Sequence, residues 1–267
     1  MGLDSIRLLT LNIAHGRGPI MHQGLVKQKT ILKWMDKIVE LLTDLKPDIV
    51  ALQEIDEDSQ WNGNLDLLEY LRLNASFDYA AYGMHNQHAG KYRLNYGNAF
   101  LSQFPIVADE VIAFDKKKIG SKGFLYCRCD TPLGQLDFIN LHLDFKSKKS
   151  RLIQCHEIKK FVLNKEMDYG VESRLTPFVM GDFNTNVTNE QDAAKFLLEE
   201  ISAHSHYRSY PVKAKTFPSY LPRKAIDYIF VPDAFHVTHS EVVRRNVSDH
   251  RSVFVELCAK AEESVKR

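Results

Sequence analysis

Acidic, amide and imidazole side chains fall at the ends of several apolar segments of the sequence. They are Asn12 in LTLNIA, Glu54 in ALQEID, His142 in INLHLD, Asp182 and Asn184 in GDFN, Asp227 in AIDYIF, and Asp249 with His250 in VSDHRS. An ionised carboxylate beside a core strand is costly unless it is paired or holds a metal ion. One such residue has an ordinary explanation as a turn or a cap, but six segments of this kind do not. If the strands pack side by side, these groups converge on one rim.

The chemistry open to such a set is phosphoryl transfer. Glu54 and Asp249 are hard oxygen ligands, suited to Mg²⁺ or Mn²⁺, and Asn12 adds a neutral oxygen. Two histidines with carboxylates supply acid–base capacity. Asp182 and Asn184 lie two residues apart, so that one can orient a water while the other binds a phosphoryl oxygen. A metal ion, an oriented water and hydrogen-bond donors are the recurring parts of phosphoryl transfer.

The elements that must position these residues are many strands with helices between some of them. Apolar residues recur at helical spacing over residues 29–45, and helices are also predicted over 65–73, 150–163 and 192–201. Strands are predicted over 6–14, 48–55, 77–84, 98–102, 105–114, 124–131, 134–144, 174–184, 224–232, 234–243 and 250–258, with a hairpin turn at TPLG and a basic tip at KKKIGSKG. The polar stretch 85–97 is predicted to be a loop.

This order of elements favours an α/β (α+β) fold in which two packed, mixed but mainly antiparallel sheets are flanked by helices. A parallel doubly wound sheet is the second interpretation, but it does not suit the adjacent strands from Asn98 to Leu143. No repeat, low-complexity tract or linker interrupts the chain, so we expect a single domain over residues 1–267.

Bulk properties exclude little. The chain has 267 residues, 35 Lys and Arg against 34 Asp and Glu, and a net charge of +1, so it lacks the strongly basic balance typical of nucleic-acid-binding domains. The four cysteines show no zinc-type spacing and are expected to be buried free thiols. We find no signal-peptide pattern and no apolar run of membrane-spanning length, so we expect a cytoplasmic protein without stable membrane association.

The motifs resemble those of the endonuclease/exonuclease/phosphatase superfamily, which includes deoxyribonuclease I. The matching segments are LTLNIA, ALQEID, YGNAFLS, INLHLD, GDFNTN, AIDYIF and SDHRSV, which occur in the superfamily's order over nearly the whole chain. Any one of them is a weak signal, whereas GDFN and SDH with QE and IDY form a specific one. The segment TFPSYLPRKAIDYIF is similar to a bacterial group of metal-dependent hydrolases whose substrates are poorly defined.

The resemblance implies a four-layer α/β sandwich with the site at the mouth between two sheets, and it implies a role for each matched residue. Glu54 would be the main metal ligand, helped by Asn12 and Asp249. Asp182 would orient or deprotonate the attacking water, and Asn184 would bind the phosphate. His250 would stabilise charge on the phosphate, with Asp227 holding its tautomer. His142 would be a second phosphate ligand or the leaving-group acid, and Asn98 a polar substrate contact.

Some family features are absent. Abasic-site endonucleases typically have QETK where this chain has QEIDED, and the 5-phosphatase signatures PxWCDR and Trp before GDxN are missing. No acid in the stretch before Asn98 can be assigned as a carboxylate partner of His142.

The remaining polar residues receive ordinary interpretations. Asp56, Glu57 and Asp58 are interpreted as a solvated turn. His15, like the other unmatched histidines, is interpreted as a surface or packed residue, and Trp61 as a core or helix-face residue. The basic run from Lys146 to Arg151 is expected to be solvated surface that could steer an anionic substrate.

These observations predict a Mg²⁺- or Mn²⁺-dependent phosphodiesterase, with a nuclease acting on nucleic acid as the broadest expectation. A phospholipid or small-molecule phosphoesterase of the sphingomyelinase or phosphatase kind is the second reading. A non-catalytic binding protein on the same fold is the third, and it predicts a missing site residue, whereas none is missing. No protein partner can be inferred.

Overall fold

The computed structural model describes residues 5–19, 26–88, 93–114, 120–168, 175–188, 192–202 and 206–260. Within them the helices are α1 (Gln28–Leu45), α2 (Leu67–Asn74), α3 (Lys148–Asp168) and α4 (Ala193–Ser202). The strands are β1 (Ser5–Asn12), β2 (Ile49–Asp56), β3 (Tyr79–His88), β4 (Leu94–Ser102), β5 (Ile106–Ala113), β6 (Gly123–Thr131), β7 (Gly134–His142), β8 (Phe178–Asp182), β9 (Tyr207–Tyr210), β10 (Asp227–Pro232), β11 (Phe235–Val242) and β12 (Val253–Ala259).

The strands form two six-stranded sheets. The first has the order β11-β12-β1-β2-β4-β3 and the second the order β5-β6-β7-β8-β10-β9. Each contains one parallel pair, β1 with β2 and β7 with β8, while the other neighbours are antiparallel. The predicted class of two mixed, mainly antiparallel sheets flanked by helices is therefore confirmed, and the doubly wound interpretation is wrong. One domain over residues 1–267 stays a prediction.

Three apolar clusters hold the layers together. One joins α1 and α2 to the outer face of the first sheet, and a second joins α3 and α4 to the outer face of the second. The third lies between the sheets and includes Leu8, Phe100, Phe138 and Met180. Because successive strand residues point to opposite faces, the apolar residues of one strand divide between an outer cluster and the inner one. The four layers follow from this division.

The prediction of a loop over residues 85–97 is wrong. Within that stretch β3 continues to His88 and β4 begins at Leu94, and residues 89–92 lie outside the described ranges. The paired residues include Gln87 with Asn95 and His88 with Leu94. β3 is the outermost strand of its sheet, so its polar side chains need no apolar environment, and the backbone hydrogen bonds form whatever the side chain.

Buried amide side chains join the two sheets beneath their common rim. Asn140 donates from Nδ2 to the carbonyl oxygens of Leu52 and Ala99, at 2.8 Å each, and accepts from Nε2 of Gln53 at 2.7 Å. Asn98 donates to the carbonyl oxygens of Gly123 and Asn140 at 3.2 and 3.0 Å. Polar groups in a core are tolerated only when they are hydrogen-bonded in this way.

We expect Asn140→Ala to lower the free energy of unfolding by about 3 kcal/mol, because it removes the side-chain donor to two buried carbonyls and one of the acceptors of the Gln53 amide. Urea unfolding of the two proteins measures this difference. Asn74→Ala is the matched control, because Asn74 makes an exposed hydrogen bond to Tyr70 at the end of α2 and should change stability by less than about 1 kcal/mol. An Asn140→Ala protein as stable as the wild type would contradict the assigned role.

The four cysteines are buried and unpaired, as predicted, and Cys127 and Cys129 both face the inner apolar cluster. In the ranges that the structure describes, no helix has the length and apolar character needed to cross a membrane.

Candidate active site

Strand alternation places four of the sequence-predicted residues on the inner faces of the sheets, at one rim. Asn12 ends β1, His142 ends β7 and Asp182 ends β8, while Asp227 begins β10. His142 and Asp227 are both register partners of Asp182, so the three side chains lie side by side across the second sheet. Asn12 reaches them from the first sheet, since its Nδ2 donates to Oδ2 of Asp182 at 3.2 Å.

Glu54 reaches the rim through a break in this alternation. In the pairing of β2 with β4, Gln53 lies opposite Asn98 and Ile55 opposite Gly97, so Glu54 has no partner. Its φ of 53° lies in the left-handed region. A β-bulge of this kind re-aims a side chain. Without it, Glu54 would point with Leu52 towards the helices; instead Ile55 takes that side, in the outer cluster.

Asp182 is the centre of the site. Its Oδ2 lies 3.4 Å from Nε2 of His142 and 3.8 Å from Nε2 of His250. Its Oδ1 accepts from the backbone N–H of Asn184 at 2.9 Å. Burial raises the pKa of Asp182 to about 7, with Asp227 adding to the rise, although the charge of His250 opposes it. A carboxylate with such a pKa can take a proton near neutral pH.

The GDFN turn is shaped by its first and last residues. Gly181 has a φ of 139°, and a Cβ there would lie 2.0 Å from the carbonyl oxygen of Leu141, so no other residue fits. Asn184 has a φ of 52°, a conformation that Asn adopts more readily than most residues. Its Nδ2 donates to the carbonyl oxygen of Leu143 at 3.0 Å, which holds the amide beside the end of β7.

His250 and Asp227 form a buried pair. Nδ1 of His250 lies 3.0 Å from each carboxylate oxygen of Asp227, which directs Nε2 towards Asp182. The ring also packs against Phe217, with centroids 4.7 Å apart. Burial alone would lower the pKa of His250, but the charges of Asp227 and Asp182 and the hydrogen bond to Asp227 raise it to about 10. The ring is therefore a cation at neutral pH.

His142 has a lysine beside it. Nζ of Lys122 lies 2.8 Å from Nε2 of His142 and 3.6 Å from Oε1 of Glu54. Burial and the charge of Lys122 hold the pKa of His142 well below its ordinary value. The imidazole is therefore neutral, which suits a hydrogen-bonding ligand of a phosphoryl oxygen. The carboxylate nearest to His142 is that of Asp182. The sequence motifs did not indicate that these two residues lie side by side.

The carboxylates of Glu54 and Asp249 have opposite electrostatic surroundings. Burial raises the pKa of Glu54 on its own, but the basic groups around it, chiefly His15 and Lys122, bring it below its ordinary value, so Glu54 is ionised. Burial raises the pKa of Asp249, which His250 opposes and Glu54 reinforces. Asn12 accepts from the N–H of Ala14 through Oδ1 at 3.0 Å.

Two sets of residues could hold a cation. Ligand atoms of Asp182, Asp227 and His250 lie within 4.8 Å of one another. The second set is the one that the family resemblance implies, Glu54, Asn12 and Asp249. Burial is the main cause of the raised pKa of Asp249, and the charge of Glu54 adds to it, so a cation beside the two carboxylates would relieve their repulsion.

Asn98 lines the same cavity as Glu54 and His142. Its amide nitrogen already donates to two backbone carbonyls, so only its side-chain oxygen is left to contact a substrate. A substrate contact by Asn98, as expected from the sequence, would therefore be made through its side-chain oxygen.

Three residues that were not predicted as site residues lie in this site: Lys122, Asp56 and His15. Lys122 belongs to the segment predicted as a basic hairpin tip, of which residues 116–119 lie outside the described ranges. The interpretation of Asp56 as part of a solvated turn is wrong, because it ends β2, is fully buried and lies 2.7 Å from Nδ1 of His15. His15 follows Asn12 by three residues, and this closeness to a predicted site residue is the sequence feature that could have indicated its place in the site.

The basic run beyond His142 is partly structural. Arg151 forms a buried bidentate pair with Asp192 and donates to the carbonyl oxygen of Asp144. Gln154 accepts from the N–H of Asp144. These contacts anchor the segment that follows β7 to α3 and α4.

The sequence and the fold were compared with known proteins. A family model described as "Endonuclease/Exonuclease/phosphatase family" matches residues 9–250. No curated protein matches the sequence significantly.

Solved structures share the fold. An endonuclease/exonuclease/phosphatase from Beutenbergia cavernae is similar with 19% identity and a TM-score of 0.73, over 96% of this chain and 72% of that one. A mannosyl-6-phosphatase from Bacteroides thetaiotaomicron has 18% identity and a TM-score of 0.68, over 94% and 99%. The catalytic domain of human Nocturnin, with a bound sulfate anion, has 18% identity and a TM-score of 0.70, over 96% and 95%.

Proposed function

Since this chain belongs to the endonuclease/exonuclease/phosphatase family, whose members hydrolyse phosphoester bonds, we propose that it is a Mg²⁺- or Mn²⁺-dependent phosphodiesterase. The observation that carries the proposal is the position of Asp182, whose Oδ2 faces Nε2 of two histidines, at 3.4 and 3.8 Å. A proton acceptor between a neutral and a cationic imidazole suits the activation of a water beside a bound phosphate.

Glu54, Asn12 and Asp249 would hold the cation. Their donors are all oxygens, as Mg²⁺ and Mn²⁺ prefer. We favour this set over Asp182, Asp227 and His250 because both oxygens of Asp227 already face Nδ1 of His250. When bound, the ion would polarise the phosphoryl group and offset its negative charge.

The protein's own residues supply the remaining steps. Asp182 would orient the attacking water and take its proton as the new P–O bond forms. His250, held by Asp227, would stabilise the charge that develops on the phosphoryl oxygens. Asn184 and His142 would bind those oxygens. The bond to the leaving oxygen breaks in line with the attack, and the Lys122 ammonium beside His142 is a candidate proton donor to it.

A small-molecule phosphomonoesterase is the second candidate, and Lys122 favours it. A terminal phosphate carries one more negative charge than a diester, and an ammonium 3.6 Å from Glu54 adds a cation with which to balance it. One of the similar structures is named a mannosyl-6-phosphatase. For the diesterase, nucleic acid is the broadest proposal for the substrate.

The four cysteines are free thiols, which supports a location in the reducing cytoplasm.

A hydrolysis panel tests the proposal. It would contain single- and double-stranded DNA, RNA, sphingomyelin, inositol phosphates, sugar phosphates and bis-p-nitrophenyl phosphate, each with Mg²⁺, Mn²⁺, Ca²⁺ or EDTA. We expect turnover of at least one diester with Mg²⁺ or Mn²⁺ and none with EDTA. Turnover of monoesters alone would select the second candidate, and no turnover of any phosphoester would refute both.

We expect Glu54→Gln to raise the dissociation constant for Mn²⁺ by about 100-fold or more, since losing even a residue that only supports a ligand costs 10–100-fold. Asp227→Asn should change it by less than about threefold, because its oxygens face His250. Calorimetry on the metal-free proteins measures both constants. The reverse pattern would move the cation to the Asp182, Asp227 and His250 set.

A further inference from the structure

A line of buried polar contacts leads from Trp61 to Glu54. Nε1 of Trp61 donates to Oδ1 of Asp56 at 2.6 Å, and Oδ2 of Asp56 lies 2.7 Å from Nδ1 of His15. Nε2 of His15 lies 3.4 Å from Oε2 of Glu54. The side chains of Asp56 and His15 are 0% and 6% exposed. The mechanism proposed above gives none of these three residues a task.

The backbone at His15 is held in an unfavourable conformation. Ala14 and His15 have φ values of 48° and 57°, in the left-handed region that a residue with a Cβ seldom adopts. Such a conformation persists only where the surroundings impose it, and it is concentrated at functional sites. The same turn holds Asn12, whose Oδ1 accepts from the N–H of Ala14. One short segment therefore positions both Asn12 and His15.

Aromatic rings restrict the imidazole. Trp61 and Tyr96 pack against it with centroids 4.6 and 4.9 Å away, at 60° and 88° between the planes. Each ring nitrogen of His15 faces a carboxylate oxygen, which only accepts hydrogen bonds, so Nδ1 carries the hydrogen that faces Asp56 and Nε2 carries the one that faces Glu54. With the ring fixed on both sides and at Nδ1, its Nε2 edge is directed at Glu54.

We propose that His15 and Asp56 are positioning residues that hold the Glu54 carboxylate in the orientation in which it binds the divalent cation. The proposal rests on the proposed metal site at Glu54. It addresses a specific need, because Glu54 lies on a bulge and the regular strand does not set its direction.

Lys122 explains why the orientation needs holding. Oε1 of Glu54 faces Nζ of Lys122 at 3.6 Å, while Oε2 faces His15. The two nitrogens therefore draw the carboxylate in different directions. Without His15, the carboxylate is free to turn towards the ammonium and pair with it. A cation would then have to displace that pairing, so its affinity falls.

The test compares conservative variants by calorimetric titration of the metal-free proteins with Mn²⁺. His15→Asn keeps a residue that tolerates the left-handed conformation but withdraws the ring nitrogen from Glu54. Asp56→Asn keeps the shape of the side chain and removes the carboxylate that orients the ring. We expect each to raise the Mn²⁺ dissociation constant by about 10- to 100-fold, the range for residues that orient a ligand.

Asp48→Asn is the matched control. Asp48 precedes β2, at the end opposite to Glu54, and pairs with Arg7. Its Mn²⁺ constant should stay within about twofold of the wild type. In the active protein, saturating Mn²⁺ should restore most of the kcat of His15→Asn, so that the defect appears in the metal requirement. A merely structural role would lower the melting temperature in EDTA and leave the Mn²⁺ constant unchanged.

The outcomes separate the two proposals. If either variant, folded in EDTA, binds Mn²⁺ as tightly as the wild type, the positioning role is refuted while the metal site stands. If the wild type binds no Mn²⁺, or Glu54→Gln binds it equally well, the metal site itself is wrong and the positioning role falls with it. Two variants are used so that one unfolded protein does not decide the result.

Discussion

Replacing Asp182 with asparagine is expected to lower kcat by about 10²- to 10⁴-fold, the range for loss of a general base. The amide has nearly the same shape as the carboxylate but cannot take a proton from water. Because Oδ1 of the asparagine can still accept from the N–H of Asn184, the GDFN turn should be retained.

Stability and activity should separate in this variant. Burial disfavours the ionised form of Asp182, as its raised pKa shows, so a neutral amide removes an unfavourable desolvation and offsets the lost acceptor for Asn12. The melting temperature should therefore stay within about 4 °C of the wild type, equivalent to about 1 kcal/mol for a chain of this size.

The measurement is steady-state turnover of the best diester or monoester at saturating Mg²⁺ or Mn²⁺. Asp137→Asn is the control, because Asp137 is a partly buried acid of β7 that pairs with Arg128, away from the rim. It should retain kcat within about twofold. Wild-type kcat in a folded Asp182→Asn protein would remove Asp182 from the mechanism.

The second large effect is expected at His250. Replacement by glutamine removes a buried cation whose charge is maintained by Asp227 and Asp182. Loss of one preorganised stabilising group in a water-excluded site typically costs 10²- to 10³-fold in kcat, about 3–4 kcal/mol. We expect a loss of this size in kcat at saturating substrate and metal.

Asp227→Asn gives a second view of the same role. It leaves the ring in place but replaces a charged acceptor by a neutral one. The protonated imidazole therefore loses the negative charge that contributes most to stabilising it. Its kcat should fall in the same direction as that of His250→Gln, and the double variant should be little worse than the more damaged single one, since the two residues act as a unit.

His239→Gln is the control for His250→Gln, because His239 is an exposed histidine of β11 with a loose contact to Glu241. It should leave kcat unchanged. Additive losses in the double variant Asp227→Asn, His250→Gln would contradict the pairing, and full activity of His250→Gln would show that the ring does not touch the reacting phosphate.

The positions of the elements could largely be predicted from the sequence, but some pairings could not. The periodic segments gave helices and strands that lie within a few residues of those observed, because burial on one face leaves a regular pattern. The end of β3 within residues 85–97 was missed because a polar edge strand carries no such pattern, and the start of β4, which pairs with it, was missed with it. β9 was missed in the same way, being only four residues long and half-exposed.

The ordinary interpretations failed where a residue's neighbour in space came from elsewhere in the chain. Asp56 sits in an acidic run that suggests a solvated turn, yet its partners are His15 and Trp61. Lys122 sits in a basic run, yet its ammonium reaches His142 and Glu54. Local composition describes the average environment of a run and cannot distinguish the one member that points inwards.

By itself the sequence determined the order of the strands along the chain and the face on which most site residues lie. Asn12, His142 and Asp182 continue the inward alternation of apolar residues in their strands, so their convergence follows once the two sheets pack. Only the tertiary structure decided the direction of Glu54, which depends on a bulge against β4. A bulge is set by the pairing of two strands about forty residues apart, and no pattern within either strand records it.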